Sequence, residues 1–221
     1  MALYLLVATV AVFASLLVWG GEQAHAASTT VARIGDRYGT VVGRYDDLQA
    51  AFDAVEDGQK IYLTKEVKVS KPLVINRDKL FELRLNGHTI TNADHGLPSY
   101  LMIVKNGHVV ISGPGCMEGK YLTRCIRLDS GRLSTWASDK TFFRGSRVMD
   151  IYGGEAYIDG GTFENSIVVY NPAAKLEIRD GSFEKNANVS AKGENACEMK
   201  ITDGEFIGKV TNTGKTGFIT G

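Results

Sequence analysis

The chain has 221 residues, 44% of them hydrophobic, with 25 Lys and Arg balanced by 25 Asp and Glu. That length and apolar share are enough for one domain with a substantial core. Zero net charge, with no run of like charges, excludes the bulk electrostatic footprint of a nucleic-acid binder.

Residues 1–19, MALYLLVATVAVFASLLVW, carry no charge, and Ala24-His25-Ala26 is a small-x-small site of the kind signal peptidase cuts. Residues 1–26 therefore read as a signal peptide cleaved before Ala27. The alternative is an uncleaved membrane anchor, because no Lys or Arg precedes the run and the run exceeds the usual signal core. Either way the remainder is exported, secreted or held at the cell surface, and touches membrane only through this segment if it is retained.

Residues 27–60 form a lead-in and a capping helix. Tyr45 to Val55 is amphipathic, with Leu48, Ala51, Phe52 and Val55 on one face. Asp46 is placed to cap it with Gln49 three residues on, and Gly58 follows as a stop. Ile61-Tyr62-Leu63 then opens the first strand.

From residue 61 onward the sequence repeats itself. Ile158, Ile178 and Ile201 are each followed five residues later by Phe163, Phe183 and Phe206, with a glycine between. Leu85 to Ile90 fits the same template with Ile90 in the phenylalanine slot. Ile111 to Met117 fits with one residue inserted, and Leu133-Ser134-Thr135 is a weaker copy. An apolar residue stands two before each anchor, which is the period of a strand with one buried face. Further strands read at Met102-Ile103-Val104, Ile126-Arg127-Leu128, Val148 to Ile151 and Ile167-Val168-Val169, broken by Gly153-Gly154 and Asn171-Pro172.

Short strands and rungs of roughly 18–26 residues describe a coil whose turns stack, not a set of hairpins. The predicted fold is all-β, a parallel β-solenoid over residues 61–221 with a short N-terminal capping helix, its phenylalanines stacked inside. Phe218-Ile219-Thr220-Gly221 opens one more copy, so the expectation is a coil truncated at Gly221, a fragment of a longer exported protein. Cys116, Cys125 and Cys197 match no zinc spacing; they read as buried small hydrophobes, with a Cys116–Cys125 bridge as the one pairing considered.

The order ARIGDRYGTVVGRYDDLQAAFDAVEDGQKIYLTKEVKV, then LRLNGHTIT, resembles the start of right-handed parallel β-helix regions in secreted and surface-attached bacterial proteins, the pectin-lyase-like solenoids. The likeness spans residues 31–221 and implies the right-handed form of the coil. It implies little about activity, since the architecture hosts lyases, hydrolases and adhesins.

Polygalacturonase-like members use clustered aspartates, one in an Asp-Asp pair; the only such pair here is Asp46-Asp47, at the cap helix. Pectate lyases hold calcium with acids from neighbouring rungs. Asp180 and Asp203 share one template position, as do Glu164 and Glu184, so Asp180 and Asp203 are the candidates for a calcium site. The simpler reading makes them turn residues, with Arg179, Lys185 and Lys200 forming cross-rung ion pairs. His88, His95 and His108 stand isolated, and no catalytic residue is assigned. Trp136, Tyr152, Tyr157 and Tyr170 fall outside the phenylalanine slot; rings facing outward suit stacking against sugars, so these are the candidate ligand residues. The expected function is an exported module for surface display, adhesion or glycan contact, with polysaccharide or a cell-surface glycan as partner. The alternative is a calcium-dependent polysaccharide lyase or other carbohydrate-active enzyme.

Overall fold

A computed structural model of the chain describes residues 29–93, 98–137, 140–192 and 198–212. The N-terminal 1–26 segment, Cys197 and the final Phe218–Gly221 copy lie outside the described residues. Among the described residues no helix is long and apolar enough to cross a membrane.

The chain opens with an antiparallel hairpin, β1 (Ala32–Gly35) and β2 (Val41–Tyr45), followed by helix α1 (Leu48–Ala54). It then winds as a coil. The first turn holds β3 (Lys60–Leu63), β4 (Val67–Val69) and the start of β5 (Leu73–Arg84). Next come the rest of β5, β6 (Thr89–Asn92) and the start of β7 (Tyr100–Ser112), and then β7 continued, β8 (Gly115–Glu118) and β9 (Arg124–Leu128). The following turn is β10 (Arg132–Trp136), β11 (Thr141–Arg144) and β12 (Met149–Ile151). β13 (Glu155–Phe163) with β14 (Ile167–Val169), then β15 (Lys175–Phe183) with β16 (Val189–Ala191), make two more. β17 (Glu198–Ile201), β18 (Glu205–Phe206) and β19 (Val210–Asn212) form the last described rung.

Every rung pairs in parallel with the one before it, giving three sheets around one core. In the first sheet Ile61, Leu83, Ile111, Thr135, Ile158, Ile178 and Ile201 are register partners, six turns in all. The steps are therefore 22, 28, 24, 23, 20 and 23 residues. The 28-residue step exceeds the expected range, and its extra length falls between β6 and β7. The second sheet aligns Val67, Ile90, Met117, Phe143, Phe163, Phe183 and Phe206. The third aligns Leu73, Met102, Ile126, Met149, Ile167, Val189 and Val210.

Alternation explains the core. Each strand turns its register column inward, where every member is buried except Phe206 and Val210 at the last described rung. The phenylalanines form the expected ladder, extended by Phe143: Phe143, Phe163, Phe183 and Phe206 stack at 4.9, 4.9 and 4.4 Å. Phe206, on the last described rung, is only partly buried. The glycine two before Phe163, Phe183 and Phe206 makes this possible. At Gly181 φ is +135°, and a Cβ would sit 3.2 Å from the Phe183 ring and 3.3 Å from the Gly161 carbonyl oxygen below.

The N-terminal end is closed on two sides. β1 pairs antiparallel with β3 and covers the first sheet's edge. Helix α1 covers the third. Leu48, Ala51, Phe52 and Val55 are buried as expected, but the cap differs from the sequence reading. Asp47, not Asp46, caps the helix, accepting from the Ala50 N–H. Gln49 is spent elsewhere: its amide accepts from the Val74 N–H at 2.7 Å and donates to the Val74 carbonyl at 2.9 Å. One side chain thus satisfies the exposed main chain of an edge strand.

The Cys116–Cys125 bridge does not form, and both thiols are free. Cys116 lies in the outward column of the second sheet, beside Thr89 and Phe142. Cys125 faces the core, its thiol against the carbonyls of Met117 and Arg144. The sheet wall lies between them. Burial pushes the Cys125 thiol up to about 12, so it stays protonated.

Candidate functional site

With the interior filled, chemistry is confined to the outer wall. On the first sheet the outward residues carry charges that alternate from rung to rung. Lys60 pairs with Glu82 at 3.0 Å, Arg132 with Glu155 at 2.5 Å and Lys175 with Glu198 at 3.4 Å. Arg179 reaches both Asp159 and Glu177, and Lys200 also holds Glu177. Arg179 and Lys200 do form cross-rung ion pairs, but with Glu177 and Asp159 instead of Asp180 and Asp203. Exposed pairs of this kind add little to stability.

Three of these carboxylates, Glu82, Glu155 and Glu177, are tuned away from proton transfer. Burial pushes Glu82 up, but hydrogen bonds from Ser112, Arg84 and Lys60 outweigh it and leave its pKa below the usual carboxylate value. Arg132 and then Tyr157 hold Glu155 below it as well. Burial likewise raises Glu177, and Arg179 and Lys200 together overcome it. A general acid works best when its pKa is moved up toward the working pH, the opposite shift.

Asp180 and Asp203 sit where the first sheet turns into the second, on the rim of an open groove of about 570 Å³ whose floor is the backbone of Gly160, Gly161, Gly181 and Gly204. Both are exposed, and each turns an oxygen back to its own chain. Asp180 accepts from the Gly181 N–H at 2.7 Å and Asp203 from the Gly204 N–H at 2.8 Å. That is the behaviour of a turn aspartate. Among the described residues no three His, Cys, Asp or Glu side chains gather closely enough to hold a metal ion. Asp180 and Asp203 by themselves supply fewer than the six to eight oxygens a calcium ion takes.

The four outward aromatics divide sharply. Tyr152 and Tyr170 stack on each other, centroids 4.7 Å apart, with Arg127 over Tyr152 and Arg147 beside Tyr170. Tyr157 has the guanidinium groups of Arg132 and Arg179 within about 5 Å of its ring centre, and Lys175 close by. Their faces are occupied by the wall itself. Trp136 is different. It is 74% exposed and makes no ring or cation contact among the described residues. At its foot lies a groove of about 180 Å³ formed with Gln59, Leu80 and Val110, with Lys60 and Glu82 as polar members. Leu80, 43% exposed, extends this apolar ground. His108, one rung from Leu80 in the same column, bonds Ser134 at 3.0 Å.

A second constellation went unnoticed in the sequence. Asp150 is fully buried although it lies on the outer column of the third sheet. It is covered by side chains from three rungs: Arg147 at 2.8 Å, the Tyr100 hydroxyl at 2.8 Å and Arg124 at 3.5 Å. The one available signal was an aspartate written into an otherwise apolar strand, Val148-Met149-Asp150-Ile151.

Comparison with known proteins adds no relative: the chain matches no family model, no curated protein and no solved structure.

Proposed function

We propose that this chain is an exported, non-catalytic β-solenoid module that contacts glycan through the outer wall of its first sheet. The apolar residues 1–19 and the site at Ala24-His25-Ala26 support export. The observation that carries the contact is Trp136, an uncovered indole standing over an apolar groove with charged groups at its edge. A sugar ring has apolar C–H faces and polar edges. It would lay one face on the indole and turn its hydroxyls toward Lys60, Glu82 and Gln59.

The size of the groove favours contact over engulfment. Sites that enclose a small molecule run from about 300 Å³ upward, so this one takes part of a chain lying along the wall. The depressed carboxylates of the first sheet support a surface without acid–base catalysis.

The test is affinity electrophoresis through gels holding soluble neutral or acidic polysaccharides. The chain should be retarded by at least one of them, and Trp136→Ala should migrate freely. Tyr121→Ala, which removes another exposed aromatic, should behave as wild type. Equal retardation of wild type and Trp136→Ala would contradict the proposal.

A further inference from the structure

The walls of this neutral protein are not equally neutral. The first sheet alternates its signs, but the outer face of the third sheet gathers cations. Arg124, Arg127 and Arg147 lie on adjacent rungs, and the column beyond them runs Lys105, Asp129, Tyr152, Tyr170, Lys192. Against these five cations, the described residues of the face set two carboxylates, Asp129 and Asp150.

Both carboxylates are already committed. Asp129 binds Arg127 Nε at 2.5 Å, and Asp150 binds Arg147 at 2.8 Å. Arg124 is left with the longer 3.5 Å approach to Asp150 and with the neutral Tyr100 hydroxyl at 2.8 Å. Burial and then Asp150 push the Tyr100 ionisation well above the ordinary phenol range, so that hydroxyl remains a proton donor to Asp150. A chain of hydrogen bonds therefore runs from Arg124 through Tyr100 to Asp150, and it orients the guanidinium without cancelling its charge.

The three arginine side chains keep solvent exposure of 38%, 39% and 25% for Arg124, Arg127 and Arg147. They are held by stacking as well, Arg124 over Tyr100 and Arg127 over Tyr152. Rings and a buried carboxylate thus fix a group of like charges before any ligand arrives, which removes the ordering cost on binding. Guanidinium groups present fork-shaped donors that match oxyanions.

We propose that the Arg124–Arg127–Arg147 face of the third sheet is an oxyanion site for a sulfate or phosphate group. Donors come from three guanidinium groups on two rungs. A tetrahedral oxyanion can meet several of them at once, whereas a planar carboxylate meets one fork. The site is independent of Trp136, which lies on another sheet.

The experiment is isothermal titration of the chain with inorganic sulfate and with inorganic phosphate, at ionic strength held constant with chloride, and with acetate as the planar comparator. Sulfate or phosphate should bind saturably and at least tenfold more tightly than acetate. Arg124→Gln and Arg127→Gln should each weaken it at least tenfold, while Arg132→Gln on the first sheet leaves it unchanged. Thermal melts accompany each variant; if Arg124→Gln fails to fold, Arg127→Gln decides. Absence of saturable binding, equal binding of acetate, or undiminished binding in a folded Arg127→Gln protein would overturn the assignment. Dextran sulfate against neutral dextran tells a polymer-borne group from a free ion: retention of dextran sulfate that survives Arg127→Gln also counts against the site.

Discussion

Phe163 and Phe183 lie face to face, ring centroids 4.9 Å apart and planes within 9° of parallel, with no exposed surface on either. That distance is close to the strand spacing, so each ring continues its own rung's backbone ladder. Replacing Phe183 with Ala opens a cavity between two rings and should cost about 3–5 kcal/mol in denaturant melts. Phe206→Ala should cost less, because Phe206 is only partly buried.

Glycine identity should matter by location. A Cβ on Gly160 would lie 2.2 Å from the Ala137 carbonyl oxygen, and φ there is +128°. Gly39 also has positive φ, +89°, but nothing lies within 4 Å. Gly39→Ala should cost about 1–2 kcal/mol from backbone strain alone. Gly160→Ala should cost more, since the rung below has to move. Thermal melts of the two variants check the order.

Gln49 is predicted to guard the open edge at Val74. Gln49→Ala leaves an N–H and a carbonyl of an edge strand without that partner, and should cost about 1–3 kcal/mol. It should also raise self-association, visible by light scattering, because an uncovered edge is a template for pairing. Gln49→Glu keeps an acceptor for the Val74 N–H but loses the donor to its carbonyl, and should fall between the two.

Acid should weaken the fold in two steps. Burial, and then the Arg132 charge, hold the His108 pKa below its ordinary 6.5. The unfolded chain then takes up a proton before the folded one does. Stability from this residue is present above pH 6.5 and is lost as pH falls through the folded value. Glu82, also depressed, contributes stability present above its ordinary 4.5 and lost below it. The thermal midpoint should drop between about pH 7.5 and pH 5, and His108→Gln should flatten that first drop while leaving the second.

The coil was legible because its anchors are local. Ile158, Ile178 and Ile201 each meet their phenylalanine after five residues, and all land in register. Where spacing slips, so does the reading. Phe143 belongs to the ladder, but it follows Thr135 by eight residues and escaped the template. Leu83, not Leu85, partners Ile111; both are buried, so composition could not choose between them. On the wall the limit is different. That Trp136 faces outward follows from the repeat. That Tyr157 is flanked by Arg132 and Arg179 depends on partners more than twenty residues away in sequence, brought close only by winding. Asp150 was hidden largely for the same reason: Arg147 is a near neighbour in sequence, but Tyr100 and Arg124 reach it only by winding.

The most direct test of glycan contact without catalysis follows the emission of Trp136 as a polysaccharide retained in the gel assay, cut to oligosaccharides, is added. Trp19 is the only other tryptophan, so Trp136→Phe supplies the background. Trp136 emission should change along a saturable curve. Trp136→Ala should weaken binding by about 2 kcal/mol, roughly 30-fold, the size of an interface hot spot. The recovered oligosaccharide should keep its chain length. An emission that does not respond to the retained glycan, or shortened product accumulating in the same tube, would contradict the account.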